Sequence, residues 1–324
     1  MCTAVTYKTK HHYFGRNLDL EYSYRESVTV TPRNYPFRFR LMGEMKSHYA
    51  MIGMAMVEED YPLYYDATNE KGLSMAGLLF AGNAVYREVA EGKDNVSPFE
   101  FIPWVLGQCA NLKEVRGLLD KINLAAIDFS EKYPLSELHW MISDREESIV
   151  VEAVKEGLRV YDNPVEVLTN NPPFDMQMFQ LNRYMGISTE QPENLFSKEL
   201  DLKIYSRGMG GLGLPGDWTS PSRFVRAAFT RMNAKSGSSE EESVSQFFHI
   251  LGSVEHPRGC VHMGNGKYEI TVYSSCCNTD EGIYYYKTYD NCNIIGIDMK
   301  KENPEGSSLI SYPMQKEGRL QIQN

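Results

Sequence analysis

Cys2-Thr3-Ala4-Val5-Thr6-Tyr7, followed after a short polar segment by Tyr13-Phe14-Gly15-Arg16-Asn17-Leu18-Asp19, is the stretch that decides the fold. Both halves are rich in β-branched and aromatic residues, so the sequence predicts a β-hairpin that turns near residues 8–12. In such a hairpin, residues whose numbers sum to about 19 or 20 face each other across the two strands. We therefore expect Cys2 to lie beside Asn17 and Leu18, with Arg16 and Asp19 close by.

Cys2 has only Met1 in front of it. Methionine is commonly removed when the next side chain is small, and we expect its removal here, which leaves a thiol and a free α-amino group on one residue. A free α-amino group titrates near about 7.7–8.0 and a free thiol near about 8.5, so such a pair can act as nucleophile and base near neutral pH. The alternative is that Cys2 is a small apolar residue at the start of a buried strand.

Arg16 and Asp19 favour the catalytic interpretation of Cys2. A guanidinium beside a thiol favours the thiolate, and a carboxylate near the amine can orient it and hold its proton. The same two residues would also fit an ordinary ion pair at the end of a strand. The hairpin alone leaves both interpretations open.

The composition predicts a globular protein with an acidic surface. Of the 324 residues, 42% are hydrophobic and 12% aromatic, which is ample for a core. Lysine and arginine number 33 against 43 aspartates and glutamates, which gives a net charge of −10. This field repels phosphate backbones, so we expect no nucleic-acid partner. Since no apolar run reaches the roughly 18 residues of a membrane span, we expect no membrane partner.

The cysteines and the first residues predict a cytoplasmic protein without a zinc site. The six cysteines lack CxxC spacing, which argues against a disulfide framework or a zinc site and for free thiols. Lysines and histidines at 8–12 interrupt the region where a signal peptide would be apolar. Gly208–Gly213 matches the dinucleotide pattern G-x-G-x-x-G, but Leu214-Pro215 follows instead of a helix, so we expect no nucleotide site.

Groups of strand-like and helix-like segments alternate in blocks along the chain, which predicts an α+β fold of antiparallel sheets layered against helices. No Pro/Gly/Ser-rich linker interrupts the chain, and we expect one domain over residues 1–324. The predicted helices are Pro98–Cys109, Leu112–Ile122, Phe174–Met185, Ser222–Asn233 and Glu241–Val254.

Asn170 and Arg223 are two further candidate site residues. Asn170 follows the apolar run Val167-Leu168-Thr169, where a side-chain amide could donate to an oxyanion, although Asn beside Pro is more often a turn former. Arg223 falls in the first turn of a predicted helix, where the helix dipole disfavours a cation. An arginine at such a position suggests a specific partner.

Several motifs in order along the chain together resemble the bile salt hydrolase (choloylglycine hydrolase) family, which includes penicillin V acylase. The resemblance implies an N-terminal nucleophile hydrolase fold, a four-layered αββα sandwich with two antiparallel sheets. The matching segments are Met1-Cys2-Thr3-Ala4, Phe14-Gly15-Arg16-Asn17-Leu18-Asp19, Asn69-Glu70-Lys71-Gly72-Leu73, Met75-Ala76-Gly77-Leu78, Leu168-Thr169-Asn170-Asn171-Pro172, Gly213-Leu214-Pro215-Gly216-Asp217 and Ser222-Arg223-Phe224.

The resemblance also implies roles for individual residues. Cys2 would be the nucleophile and, through its freed amine, the base, while Arg16 and Asp19 would tune and orient it. The Asn170 side chain and the backbone N–H of Leu79 would hold the oxyanion, and Arg223 would complete the polar site. The mechanism that the resemblance implies needs no metal or organic cofactor. The residues that would line the apolar groove for the substrate are Leu18, Phe129, Tyr133 and Leu138.

Leu79 departs from the family pattern, which usually has Asn in bile salt hydrolases and Tyr in penicillin V acylases at this position. We therefore expect weakened or altered catalysis. The leading function is hydrolysis of glycine- or taurine-conjugated bile acids. Two alternatives remain: a penicillin V or other N-acyl amide acylase, and a catalytically weak relative that binds bile acids. The long irregular segment Gln191–Pro221 resembles the loop that family members exchange between subunits, which implies a homotetramer.

Overall fold

A computed structural model describes residues 1–318 and 320–324 of the chain. The helices are α1 (Phe101–Gln108), α2 (Leu112–Leu119), α3 (Phe174–Gln180), α4 (Ser220–Asn233) and α5 (Glu240–Gly252), with 3-10 turns at Pro98–Glu100, Leu181–Tyr184, Met209–Gly211 and Met299–Lys301. The strands are β1 (Cys2–Lys8), β2 (His12–Leu20), β3 (Ser27–Thr31), β4 (Phe37–Phe39), β5 (Gly43–Met45), β6 (Met51–Glu58), β7 (Tyr61–Asn69), β8 (Ser74–Leu79), β9 (Asp94–Val96), β10 (Ile122–Leu124), β11 (Leu138–Ser143), β12 (Ser148–Val154), β13 (Gly157–Asp162), β14 (Val167–Leu168), β15 (His262–Gly264), β16 (Lys267–Tyr268), β17 (Ile270–Asn278), β18 (Ile283–Thr288), β19 (Ile295–Asp298) and β20 (Ile310–Pro313).

Two large sheets contain most of these strands. The six-stranded sheet has the order β14-β1-β2-β17-β18-β19, and the eight-stranded sheet has the order β13-β12-β11-β8-β7-β6-β3-β20. Every pair of neighbouring strands in both sheets is antiparallel. The predicted α+β class with antiparallel sheets is confirmed.

The sheets form the middle layers of a four-layered sandwich. They pack face to face, with β1 against β8, while α1 covers the outer face of β7 and β8 and α4 and α5 cover the outer face of β1 and β17. Alternate residues of one strand therefore enter different cores: in β8, Met75 packs on the α1 side and Ala76 and Leu78 pack between the sheets. Because helices cover both sandwich faces, the central strands are buried at nearly every position.

The hairpin predicted from the first residues is confirmed. Cys2 pairs with Leu18 and Ala4 pairs with Arg16, so paired residue numbers sum to 20. The far edge of β2 pairs with β17. Gly15 has no room for a side chain there, because a Cβ would collide with the Ser275 carbonyl oxygen. The glycine at position 15 thus allows β2, which carries Arg16, to pair closely with β17.

Two predicted helices end earlier than the sequence pattern indicates. The helix predicted over Leu112–Ile122 ends at Leu119, and Ile122–Leu124 forms β10, which pairs in parallel with β9. Ile122 and Leu124 are buried while Asn123 is half-buried, so a strand periodicity replaces the helical one at this point. The α-helix predicted over Phe174–Met185 ends at Gln180 and continues as a 3-10 turn.

His12, the first residue of β2, is expected to make the folded state sensitive to acid. Burial lowers the pKa of His12 from 6.5 to about 4, against the attraction of Asp280. Between these pH values the unfolded chain binds a proton that the folded chain does not, so stability falls as the pH falls from about 6.5 to 4. This effect contributes up to about 3 kcal/mol.

The variant His12→Asn keeps a side chain that can hydrogen-bond to Thr279 but does not titrate. Urea unfolding at pH 7 and pH 4.5 should show a smaller loss of stability in this variant than in the wild type. The control is His262→Asn, which replaces a histidine that is exposed in the folded protein. Equal pH dependence in His12→Asn and the wild type would contradict the prediction.

Candidate functional site

Cys2 begins β1, which lies between β14 and β2 in the six-stranded sheet, and only 4% of its surface is exposed. Residues that face each other on antiparallel strands project from the same side of the sheet, so Cys2, Leu18, Ala4 and Arg16 share one side. Arg16 reaches across to the eight-stranded sheet, and the Cys2 side chain therefore points into the layer between the two sheets.

The Arg16 guanidinium is fixed by carbonyl groups of the opposite sheet. Its Nη1 atom donates to the carbonyl oxygens of Gly77 at 2.6 Å and Tyr65 at 2.9 Å. Burial acts to lower the pKa of Arg16, but electrostatic interactions with Cys2, Tyr273 and Asp66 hold it above its usual range. Arg16 is thus a fully buried cation in the layer into which Cys2 points.

Asp66 is a buried carboxylate on β7 that faces the same layer. It accepts hydrogen bonds from the hydroxyls of Tyr273 at 2.9 Å and Tyr284 at 2.7 Å. Burial raises the pKa of Asp66, while Arg16 and the two tyrosines oppose that effect. The sequence analysis did not identify this cluster. The available signal was a carboxylate inside an otherwise apolar strand, which needs a buried partner.

The Asn170 side chain, just after β14, connects three parts of the site. Its Oδ1 atom accepts from the backbone N–H of Cys2 at 2.7 Å and from Nη2 of Arg223 at 2.8 Å. Its Nδ2 atom donates to the carbonyl oxygen of Leu79 at 2.7 Å. Each carboxamide atom is therefore oriented by a specific partner, and the turn-former interpretation does not describe its role in the structure.

Leu79 is the last residue of β8 and faces Leu138 of β11. The Phe80 N–H donates to the Glu137 carbonyl, so Leu79 and Leu138 form a non-hydrogen-bonded pair. The backbone N–H and C=O of Leu79 consequently point away from β11, and the C=O meets Asn170. The Leu79 side chain is 41% exposed and does not belong to the buried core.

Arg223 lies in the first turn of α4 and is fully buried. Its Nη1 atom donates to the Cys2 carbonyl and to the Thr3 hydroxyl, both at 2.6 Å, and its Nε atom donates to the Trp218 carbonyl at 3.1 Å. Burial lowers the pKa of Arg223, and the charge of Asp19 opposes that effect. These partners explain an arginine where the helix dipole disfavours a cation.

Asp19 lies on the opposite side of the six-stranded sheet from the Cys2 side chain, toward the helices. The Thr271 hydroxyl donates to its Oδ1 atom at 2.6 Å, while Nδ1 of His256 is 3.2 Å and Nη1 of Arg223 is 3.9 Å from Oδ2. Burial acts to raise the pKa of Asp19, but His256 and Arg223 hold it below its usual range. Sequence reasoning missed His256 and Thr271, which no local pattern links to Asp19.

Met1 extends the β1–β2 hairpin by one residue. Its α-ammonium group contacts the Glu269 carboxylate and donates to the Asp19 carbonyl at 2.5 Å, and its own carbonyl accepts from the Asp19 N–H at 2.9 Å. While Met1 is attached, the Cys2 nitrogen is a peptide amide. Amine chemistry at Cys2 therefore requires cleavage of the Met1–Cys2 bond.

The four residues predicted to line the substrate groove divide between the two cores. Leu18 packs beside Cys2 between the sheets, whereas Phe129, Tyr133 and Leu138 belong to or pack against the core on the α1 side. Phe129 lies 6.3 Å from Tyr133 by ring centroids and lines a surface cavity of about 260 Å³. Leu138 adjoins the site through its pairing with Leu79.

Within residues 1–318 and 320–324, no helix has both the length and the apolar character that a membrane crossing requires. The same residues contain no group of three or more His, Cys, Asp or Glu side chains placed to hold a metal ion.

Comparison with known proteins assigns this arrangement to a family. Residues 2–312 match the family of linear amide C–N hydrolases, choloylglycine hydrolase family. The chain is 56% identical to a bile salt hydrolase/transferase of Lactiplantibacillus plantarum over 100% of both chains. It superposes on a conjugated bile acid hydrolase from Clostridium perfringens with a TM-score of 0.93 and 40% identity, over 100% of both chains. A penicillin V acylase from Agrobacterium tumefaciens shares the fold, with a TM-score of 0.76 and 20% identity over 96% of this chain and 90% of that one. These likenesses confirm the N-terminal nucleophile hydrolase fold, and the chain belongs to the choloylglycine hydrolase family of linear amide hydrolases.

Proposed function

We propose that this enzyme hydrolyses the amide bond of glycine- or taurine-conjugated bile acids, with Cys2 as its nucleophile. The observation that carries the proposal is the buried network in which Asn170 holds both the Cys2 nitrogen and Arg223. The Lactiplantibacillus and Clostridium relatives, which are named for bile salts and conjugated bile acids, support the choice of substrate.

The reaction begins once Met1 has been removed. The Cys2 amine accepts the thiol proton, and the thiolate attacks the amide carbon of the substrate. The resulting oxyanion accepts hydrogen bonds from the Leu79 backbone N–H and from the Asn170 amide. One N–H of that amide is used by the Leu79 carbonyl, and the other is available for the substrate. The protonated amine then donates to the leaving nitrogen of glycine or taurine, and a thioester remains on Cys2.

Water completes the reaction by attacking the thioester, with the Cys2 amine again acting as base. In this proposal Arg16 stabilises the thiolate from within the layer between the sheets. Asp19 and Arg223 orient the amine from the other side of β1, through their ion pair and the Arg223 bond to the Cys2 carbonyl. In this proposal the Cys2 thiolate thus lies near the charge of Arg16, and the Cys2 amine lies near the charges of Asp19 and Arg223.

The substrate groove is the second part of the proposal. A steroid amide is a rigid apolar body with a small anionic tail, so its site needs an apolar groove that is polar at one end. We place this groove along Leu18 and Leu138, which adjoin Cys2 and Leu79, and extend it toward Phe129 and Tyr133. A preference for penicillin V remains the second candidate, since the Agrobacterium acylase shares the fold.

Purified enzyme is expected to release glycine or taurine from glycocholate and taurocholate faster than it hydrolyses penicillin V. Cys2→Ala should lower turnover by about a thousand-fold or more, because it removes the nucleophile. Amino acid release and the intact mass, which reports the loss of Met1, are the measurements.

Cys260→Ala is the matched control, because Cys260 is an exposed thiol outside the site. It should retain full activity. Faster hydrolysis of penicillin V would favour the acylase alternative, and binding of glycocholate without turnover would favour a catalytically weak relative.

Leu79→Asn is expected to raise the turnover of glycocholate by about 2–10-fold. Leucine offers no side-chain hydrogen bond at a position beside the proposed oxyanion donors, and one such bond contributes about 0.5–1.5 kcal/mol. Steady-state kcat is the measurement. Val160→Asn, an exposed substitution on the edge strand β13, is the control and should change nothing. No difference between Leu79→Asn and the wild type would refute an effect of this position.

We further propose that the chain acts as a single cytoplasmic domain that assembles into a homotetramer through the 191–221 segment. The free thiols suit a reducing compartment, and the two sheets share one core. Large apolar side chains are exposed along the segment, a property typical of interaction sites. These residues are Leu195, Phe196, Leu200, Leu202, Ile204, Tyr205 and Leu212.

The wild type should have the mass of four copies of the chain, as measured by size exclusion with light scattering. The combined variant Leu195→Ser, Phe196→Ser and Tyr205→Ser should have a lower mass. The reason is that the three changes remove apolar surface that association would bury. An equivalent triple serine variant of Val85, Val89 and Val160, which are exposed elsewhere, is the control. A monomeric wild type would contradict the proposal.

A further inference from the structure

His139 of β11 lies between the two segments that carry the proposed oxyanion donors. It is fully buried, and its Nε2 atom is 2.8 Å from the carbonyl oxygen of Thr169, the residue before Asn170. Its ring stacks on Phe80, the residue after Leu79, with centroids 4.3 Å apart and planes at 5°. One imidazole therefore contacts both neighbouring segments.

The hydrogen-bond partners of His139 determine which of its ring nitrogens carries a hydrogen. A carbonyl oxygen only accepts, so Nε2 must carry the hydrogen that bonds to Thr169. Nδ1 is 3.1 Å from Oε1 of Glu152, which is also fully buried and accepts from the Phe174 N–H at 3.0 Å. At this distance Nδ1 and Oε1 form a hydrogen bond, which one hydrogen between the two atoms satisfies. The contact with Glu152 thereby fixes the orientation of the ring whose Nε2 atom donates to Thr169.

The main chain of Asn170 is held on its other side as well. Its N–H donates to the Ser220 hydroxyl at 2.8 Å, and its carbonyl accepts from Gln177 at 2.5 Å. These contacts tie Asn170 to the helical layer. The contact of His139 with Thr169 ties the same segment to the eight-stranded sheet, which carries Leu79.

We propose that His139, oriented by Glu152, is a positioning residue that sets the separation of the Leu79 N–H and the Asn170 amide. This inference rests on the roles proposed above for Leu79 and Asn170. Oxyanion donors act within a narrow distance range, and a displacement of about 1 Å can lower a rate by about a hundred-fold. Loss of His139 affects the oxyanion and leaves the thiolate in place.

His48 provides a matched control for the removal of a buried histidine. Its Nε2 atom also bonds to a main-chain carbonyl, that of Tyr35 at 2.9 Å, and its ring lies 4.8 Å from Phe37. It packs beside α1, next to Gly107, and contacts none of the site residues. His48→Gln therefore measures the general consequence of replacing a buried imidazole.

The test compares His139→Gln, Glu152→Gln and Glu152→Ala with His48→Gln in the mature enzyme. In His139→Gln we expect kcat for glycocholate to fall about 10–100-fold with KM within about two-fold, a larger loss than in His48→Gln. Glu152→Ala should show the same kcat defect. Glu152→Gln should show a smaller loss than Glu152→Ala, because the amide keeps the size of the carboxylate beside the ring, although its oxygen, which accepts from the Phe174 N–H, cannot donate to Nδ1. The two Glu152 variants decide the question if His139→Gln does not fold.

Alkylation of Cys2 by iodoacetamide separates positioning of the oxyanion donors from effects on the nucleophile, since it needs the thiolate but no oxyanion. Its rate, measured on the N-terminal peptide, should be unchanged in all these variants. A kcat loss no larger than in His48→Gln, or an alkylation rate that falls in step with kcat, would overturn the proposal. Absence of wild-type turnover would instead overturn the proposed function itself.

Discussion

The carboxamide of Asn170 is the interaction on which the arrangement of the site depends. It bonds to the start of β1, to the first turn of α4 and to the end of β8, three segments far apart in sequence. A buried polar group without a partner costs about 1–3 kcal/mol, so each of these bonds resists displacement of the segment that makes it. Two sheets and a helix layer are thereby joined at the backbone of the residue that carries the nucleophilic side chain.

The charged side chains around Cys2 are buried, and burial strengthens their electrostatic effect on the site. The chain as a whole is acidic, with a net charge of −10, yet two fully buried arginines lie on either side of β1. Screening by salt is weak inside the protein, so Arg16 and Arg223 act on their neighbours more strongly than surface charges do. Asp66 and Asp19 oppose them, one in each layer. Each face of the strand therefore carries a cation and a carboxylate.

Local sequence patterns predicted the parts of the site that belong to one hairpin or one helix turn. The pairing of Cys2 with Leu18 follows from strand periodicity, and the unfavourable helix position of Arg223 pointed to a specific partner. Asp66, His139 and His256 were not identified, because their partners come from strands and helices that only the tertiary fold brings together. The change from helix to strand at Ile122 was missed for a related reason: pairing with β9 overrides a helical pattern that continues past Leu119.

Arg16 and Asp19 are three residues apart on one regular strand, and an odd spacing places their side chains on opposite faces. The chemistry at Cys2 thus draws on both sides of a single strand at once. A designer who transplants this site would need a host sheet covered on both faces, since a sheet with one wet face would leave either the arginine or the aspartate solvated and weakly coupled to the thiol. Scaffolds with sheets enclosed between other layers are the suitable hosts.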